Sequence, residues 1–385
     1  MNAPSHELGH AVRHLWNLDP DWVTVNHGSF GATPIAVLDA QDEWRRRMEA
    51  QPTRFMSRDL PNALRAAADA LGRYIGAGGN DLAFVENATV GCNAVLRSLR
   101  LQPHDEVVVF DHGYGAVKNT VRFVAGRSGA RVVTACIPFP RPTADAIVEN
   151  LAAALTPATR LAVLDHITSP SALVLPIAEM IEACRTAGVP VLVDGAHAPG
   201  QVPLDLATLG ADYYVGNCHK WMMAPKGAGF LWAAPQRQDD LHPVTISHGL
   251  GKGFLEEFDW TGTRDPTSVL AVPAAITFLE DLGGASLRER NIRLARDATA
   301  VIARRLNAEI GALPEFAGSM GVVRLPVTGA ATPERALDMR AKVFDAKTDV
   351  PVSAIGDGLW MRISAQAYNE IEDYERLAEI VARLV

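Results

Sequence analysis

Short, almost uninterrupted apolar runs alternate with stretches of helical period through the middle of the chain. The runs are Leu82–Val85, Val107–Phe110, Arg131–Ala135, Leu161–Asp165, Val189–Asp194, Asp212–Val215 and Gly229–Trp232. They are rich in β-branched residues and Leu, and most carry turn residues on both sides. Continuous rather than alternating apolarity marks strands buried on both faces, as when helices cover each side of a mainly parallel sheet. Helix patterns fill the gaps, among them Val90–Leu99 and Ile177–Ala187, the latter closed by Gly188 and Pro190. Repeated strand–helix alternation predicts an α/β domain around a mainly parallel seven-stranded sheet.

The pattern changes after about residue 270. Ser286–Ile310 reads as one long amphipathic, Arg-rich helix, followed by a strand (Val322–Pro326), a helix (Pro333–Asp345), a strand (Leu359–Ser364) and a terminal helix (Ile371–Val385). That order predicts a smaller α+β domain. Leu8, Val12, Leu15 and Trp16 give the first residues an apolar period suited to packing against it. The expected organisation is an N-terminal segment at 1–25, a large domain at 26–270 and a small C-terminal domain at 271–385.

Of 385 residues, 36 are Lys or Arg and 44 Asp or Glu, a net of −8 with no basic block. Nucleic-acid and anionic membrane surfaces need clustered Lys/Arg, so neither partner is expected. No run of 18 apolar residues occurs, and the first residues lack the basic region and apolar stretch of a signal peptide. A cytoplasmic enzyme is the expectation. Cys92, Cys136, Cys184 and Cys218 are scattered without CxxC spacing, which points to neither a disulfide framework nor zinc. His10 and His14 have the spacing of a helical metal pair but no third ligand nearby. No metal is expected.

Two motifs carry most of the chemistry. Asp194-Gly-Ala-His197-Ala-Pro-Gly and Gly216-Asn-Cys-His219-Lys220-Trp each follow a predicted strand. Ligands of open α/β sheets bind at the carboxyl ends of strands, so a carboxylate and an amine emerge on one functional edge. Lysine there is open to desolvation, which lowers its pKa and makes it a nucleophile and base. An aldehyde cofactor held as a Schiff base is its chemical partner, and a carboxylate beside the nitrogen of pyridoxal phosphate keeps that ring electron-accepting. Glu86-Asn87-Ala88-Thr89, between a strand and a helix, offers free N–H groups, a positive dipole end and a hydroxyl to a phosphate. Without turnover, the same cap would suit a plain phosphate-binding α/β protein.

Taken together these residues resemble the class V aminotransferase family, a branch of fold-type I pyridoxal-phosphate enzymes, and within it the isopenicillin N epimerase-like subgroup. The resemblance rests on Val25-Asn-His-Gly-Ser-Phe-Gly-Ala-Thr-Pro34, Asn87-Ala-Thr89, Tyr114-Gly-Ala-Val-Lys-Asn-Thr120, the Asp194 and Lys220 motifs, and Thr261-Gly-Thr-Arg-Asp-Pro266. It implies Lys220 as the Schiff-base lysine, Asp194 as partner of the pyridine nitrogen and His197 close to the phenolic oxygen. It implies Ala88, Thr89, Asn217 and His219 at the phosphate, and Tyr114 over the ring. Ser169 falls where many relatives have Asn. Thr263 resembles a residue reaching the phosphate from a neighbouring subunit, which implies a homodimer with shared sites.

The resemblance makes Arg362 the clamp of a substrate carboxylate, and a planar guanidinium suits that task. Asn26 and Arg58 are further substrate-binding candidates; Arg54 and Arg58 suit a second carboxylate or another distal group, and equally a solvated helix face. The implied substrate is an amino acid whose α-proton Lys220 removes. Epimerisation is the leading expectation, with His27, His112 and Tyr114 as candidate acids for the second face. β-Elimination from a sulfur-containing amino acid (C–S lyase) and transamination are the alternatives. A desulfurase of the kind that carries a nucleophilic cysteine shortly before the carboxylate-binding arginine is disfavoured, because Val343–Met361 contains none.

Overall fold

The computed structural model describes residues 8–385. Residues 1–7 of the expected N-terminal segment lie outside them. The large sheet contains β1 (Leu82–Val85), β2 (Glu106–Phe110), β3 (Arg131–Ala135), β4 (Thr159–Asp165), β5 (Val191–Gly195), β6 (Tyr213–Asn217) and β7 (Gly229–Ala233). Their order across the sheet is β1-β7-β6-β5-β4-β2-β3. Strands β6, β5, β4, β2 and β3 pair in parallel, while β7 runs antiparallel to both β1 and β6. The expected mainly parallel seven-stranded sheet is therefore present.

Helices cover both faces. Leading into the sheet are α1 (Ile35–Ala50) and α2 (Leu60–Ile75); along it come α3 (Ala88–Ser98), α4 (Gly115–Ser128), α5 (Ala144–Ala154) and α6 (Ile177–Thr186). The buried face of α6 is Ile177, Met180, Ile181 and Cys184, the one-sided spacing that a helix needs to lie on a sheet. Asn87 starts α3 by accepting a bond from Val90 N–H at 3.0 Å.

Beyond α7 (Val272–Asp281), the long helix α8 (Ala285–Leu306) precedes β8 (Met320–Arg324), α9 (Pro333–Asp345), β9 (Val352–Ile355), β10 (Gly358–Ser364) and α10 (Ile371–Ala382). These strands form an antiparallel sheet ordered β8-β10-β9. The sequence pattern ran α8 on to Ile310. It stops at Leu306 because Asn307 turns left-handed, with φ 47°, and returns its N–H to the last turn. The pattern also omitted β9, an edge strand whose four residues are all half-buried.

The N-terminal stretch ties the two sheets together. Val12 and Trp16 pack with Met223, Leu279, Leu282 and Tyr368. Val23 bridges to Thr348, and Val25 O accepts from Ser364 N–H at the end of β10 at 2.8 Å. His10 pairs with Asp373 at 3.0 Å.

Gly229 shows how tightly the sheet holds the Asn87 turn. A Cβ there would lie 2.6 Å from Asn87 Cα, a backbone atom with little room to retreat. Gly229→Ala is expected to push the turn off β7 at a cost of about 1–3 kcal/mol, typical of overpacking. Urea unfolding would register this as a lower midpoint; an unchanged midpoint would mean that the turn is not pinned.

Candidate active site

Three neighbouring parallel strands end together at one edge of the large sheet. Asp165 on β4 stands opposite Asp194 on β5, and Asn217 closes β6. A cavity of about 550 Å³ opens over this edge, lined by both carboxyls and by Thr89, His197, Asn217, His219 and Lys220. A second cavity of about 740 Å³ adjoins it and reaches the small sheet at Arg362. Tyr114, Ser169, His197 and Lys220 line both. The strand ends thus bring together most of the residues that the sequence singled out.

Lys220 sits on the loop after β6, where Cys218 N–H donates to Ala228 O at 2.9 Å and His27 Nε2–H donates to Lys220 O at 3.0 Å. Its Nζ is 3.2 Å from His197 Nε2. Burial, with help from the Arg362 charge, pulls the amine down to about 8 against a weaker opposing pull from Asp194. Near neutral pH an appreciable fraction is therefore a free nucleophile, where an ordinary lysine has almost none.

Asp194 is 4% exposed and has no ion pair among the described residues. Burial pushes its carboxyl up, offset in part by a bond from Ala196 N–H to Oδ1 at 3.0 Å and by Lys220. Asp165, which the sequence reading passed over, is also pushed well up, by burial first and then by Asp194. The signal for it existed: like Asp194, it ends an apolar strand at the functional edge.

At the far side, the N-terminus of α3 faces the smaller cavity. Ala88 N–H does not point free at a ligand, because it donates to Asn217 Oδ1 at 2.8 Å. Asn217 turns its oxygen to that bond, which leaves its amide NH₂ as the available end. The Thr89 hydroxyl has no partner among the described residues. His219 donates Nδ1–H to Ala228 O at 3.1 Å, and burial holds its ring down to about 4, hence neutral.

Arg362, at 3% exposure, is held by neutral groups alone. Its Nη1 donates to Ser169 O at 2.7 Å and Oγ at 3.2 Å, and its Nη2 to Ser29 Oγ at 3.1 Å and Asn26 Oδ1 at 3.4 Å. Its Nε has no partner, and burial pulls the guanidinium down to about 10. Asn26 links it to the Asp349–Arg340 ion pair, donating to Asp349 at 2.7 Å. Ser169 therefore tethers the arginine, a task its sequence position alone did not suggest.

Other candidates lie elsewhere. Thr263, Arg54 and Arg58 are exposed and line neither cavity. Arg54 faces Asp59 at 3.5 Å. His27 also lines neither: one ring nitrogen holds Lys220 O and the other meets Tyr368 Oη at 2.9 Å. His112 lines only the larger cavity and is bound through Nδ1 to Ser171 Oγ at 2.7 Å. Tyr114 lines both, is 45% exposed, and has an unpartnered hydroxyl among the described residues.

The donor set fits pyridoxal phosphate. A buried carboxyl lacking a cation suits a pyridinium N–H, the Thr89 hydroxyl and Asn217 amide at a helix N-terminus suit a phosphate, and a partly neutral lysine suits an aldehyde. Comparison with known proteins agrees. The family model described as aminotransferase class-V matches residues 31–339. An isopenicillin N epimerase of Amycolatopsis lactamdurans is 37% identical over 97% of this chain and 98% of its own. An L-cysteine desulfhydrase of Arabidopsis thaliana is 32% identical over 94% of this chain and 87% of its own. In fold, the apo structure of a cysteine desulfurase from Thermococcus onnurineus NA1 superposes with a TM-score of 0.82 at 17% identity, over 100% of this chain and 99% of its own.

Two expectations follow for the isolated protein. In the cofactor-free state, acylation of Lys220 is expected to accelerate with rising pH through a midpoint near 8; a midpoint near that of free lysine would contradict the desolvated amine. Arg362→Leu removes an unpaired buried cation, so thermal stability without ligand is expected to hold or rise. Binding of an amino-acid carboxylate, measured by calorimetry, is expected to weaken by about 10–100-fold, the worth of a charged hydrogen bond.

Proposed function

Given that the chain belongs to the class-V aminotransferase family, with pyridoxal 5'-phosphate as its cofactor, we propose that it is an amino-acid epimerase, carrying the α-proton from one face of its substrate to the other. The bound cofactor supplies an electron sink for the charge left on the α-carbon. Thr89, Asn217 and the N-terminus of α3 would hold its phosphate, Asp194 its ring nitrogen, and His197 its phenolic oxygen. Ionised Asp194 keeps that nitrogen protonated, and the charge it meets there offsets the cost of its burial.

Arg362 receives the substrate carboxylate, its buried charge matched at last by an anion. Lys220, freed as an amine, takes the α-proton. The return of a proton to the opposite face is assigned to Tyr114, and one observation supports this choice. Of the side chains lining both cavities, the ionisable ones are Lys220, His197 and Tyr114, and only Tyr114 has no hydrogen-bond partner among the described residues.

A second reading, a C–S lyase, is favoured by the relative named L-cysteine desulfhydrase. It needs the same Lys220, with Tyr114 protonating a departing thiolate. Transfer of sulfur to the protein is not supported, since no cysteine lines either cavity among the described residues. We also propose a homodimer with shared sites, in which a second copy brings Thr263 and Arg58 from their exposed positions to the cofactor and the substrate.

Incubation with candidate amino acids in deuterated water tests the reading. Epimerisation yields both enantiomers carrying α-deuterium; pyruvate with released thiol would replace it with the lyase, and a keto acid with transamination. For the epimerase, Tyr114→Phe is expected to keep exchange of the α-hydrogen while slowing inversion by about 10²-fold, the scale of a lost general acid. Unchanged inversion would remove Tyr114 from the role.

A further inference from the structure

Trp221 follows Lys220 and reads from the sequence as core, and at 2% exposure its carbon skeleton is core. Its one polar atom is not idle. The indole Nε1–H donates to His197 Nδ1 at 3.3 Å, while the other ring nitrogen, Nε2, lies 3.2 Å from Lys220 Nζ. An indole nitrogen only donates, so Nδ1 must present a lone pair. A neutral imidazole with its lone pair on Nδ1 carries its proton on Nε2. The imidazolium would set N–H against N–H at the indole, so it is disfavoured along with the other tautomer.

Nothing but Trp221 hydrogen-bonds to Nδ1 among the described residues. Main-chain movement of His197 is restrained by Gln201, which donates to His197 O at 2.8 Å and accepts from Ser319 N–H at 2.7 Å. The charged and titratable groups facing the ring are Lys220, Arg362 and His219, and Asp194 stands three residues before it at the end of β5. None of these makes a hydrogen bond to Nδ1.

We propose that Trp221 is a positioning residue which fixes His197 as the neutral Nε2–H tautomer, so that one immobile N–H donor faces the Lys220 amine. Against a fixed donor, Lys220 Nζ can hydrogen-bond to His197 only as the neutral amine, whose lone pair accepts. Burial and the nearby cations hold His197 well below its usual range, in keeping with a ring that stays uncharged. The tautomer does not depend on the proposed function; its use toward the phenolic oxygen of the cofactor does.

The test is ¹⁵N NMR of histidine-labelled, cofactor-free protein, with the His197 signals assigned by their loss in His197→Asn. The expected pattern is a pyridine-type Nδ1 and a protonated, pyrrole-type Nε2, constant from about pH 5 to about pH 8, the range in which an ordinary histidine titrates. Trp221→Phe should lose it, giving mixed tautomers or a titrating ring. A protein with benzothienylalanine at 221 keeps the ring volume, replaces the N–H with sulfur and should behave likewise, which separates the hydrogen bond from packing. A proton on Nδ1, a charged ring at neutral pH, or a wild-type pattern in the benzothienyl protein would overturn the proposal. In the loaded protein, the same replacement should shift the pH dependence of the visible cofactor band. An unmoved band beside the expected NMR pattern would count against the placement of the phenolic oxygen, not against the tautomer.

Discussion

A buried acid and a buried cation, neither with an ion-pair partner among the described residues, set the terms of the site. Asp194 ends a strand of the large sheet and Arg362 lies on the central strand of the small one. Burying an unpaired ion costs several kcal/mol. Both face cavities, where a ligand bearing a ring cation and a carboxylate would satisfy them together. The two sheets must therefore be held in a set relation, since each supplies one pole.

Around these poles the polar side chains divide into two groups. His27, Asn26, Gln201 and Ser169 spend their hydrogen bonds on the frame, gripping the Lys220 loop, Asp349, the His197 main chain and Arg362 respectively. Lys220, Thr89 and Tyr114 retain free capacity toward the cavities. Preorganisation of this kind lets the reactive groups meet a ligand with little rearrangement. The lowered pKa of Lys220 follows from the frame that buries it, and in the proposed tautomer His197 offers the neutral form a donor.

Much of this was legible in the sequence, for physical reasons that differ by residue. β1 was bounded to the residue because its apolar run met turn residues, Asn80-Asp81 and Asn87, on its flanks. Asp194 and Lys220 stood out because polar groups closing buried strands have few structural reasons to be there. β9 escaped because a half-buried edge strand leaves no clear period. Asp165 obeyed the same rule as Asp194 but lay outside any recognised motif. The bond from Trp221 to His197 joins residues 24 apart, and a tryptophan in an apolar setting gives no hint of where its one N–H points. Thr263 and Arg58 had motif or composition behind them, yet a single chain does not carry them to its own cavities.

The stretch from Val25 to His27 fastens the central strand of the small sheet, through Ser364, to the loop that bears the reactive amine, through Lys220 O. Three residues thus act as a clasp whose two ends set the spacing between guanidinium and lysine. Cargo fused ahead of this clasp would hang its load on the spacing itself.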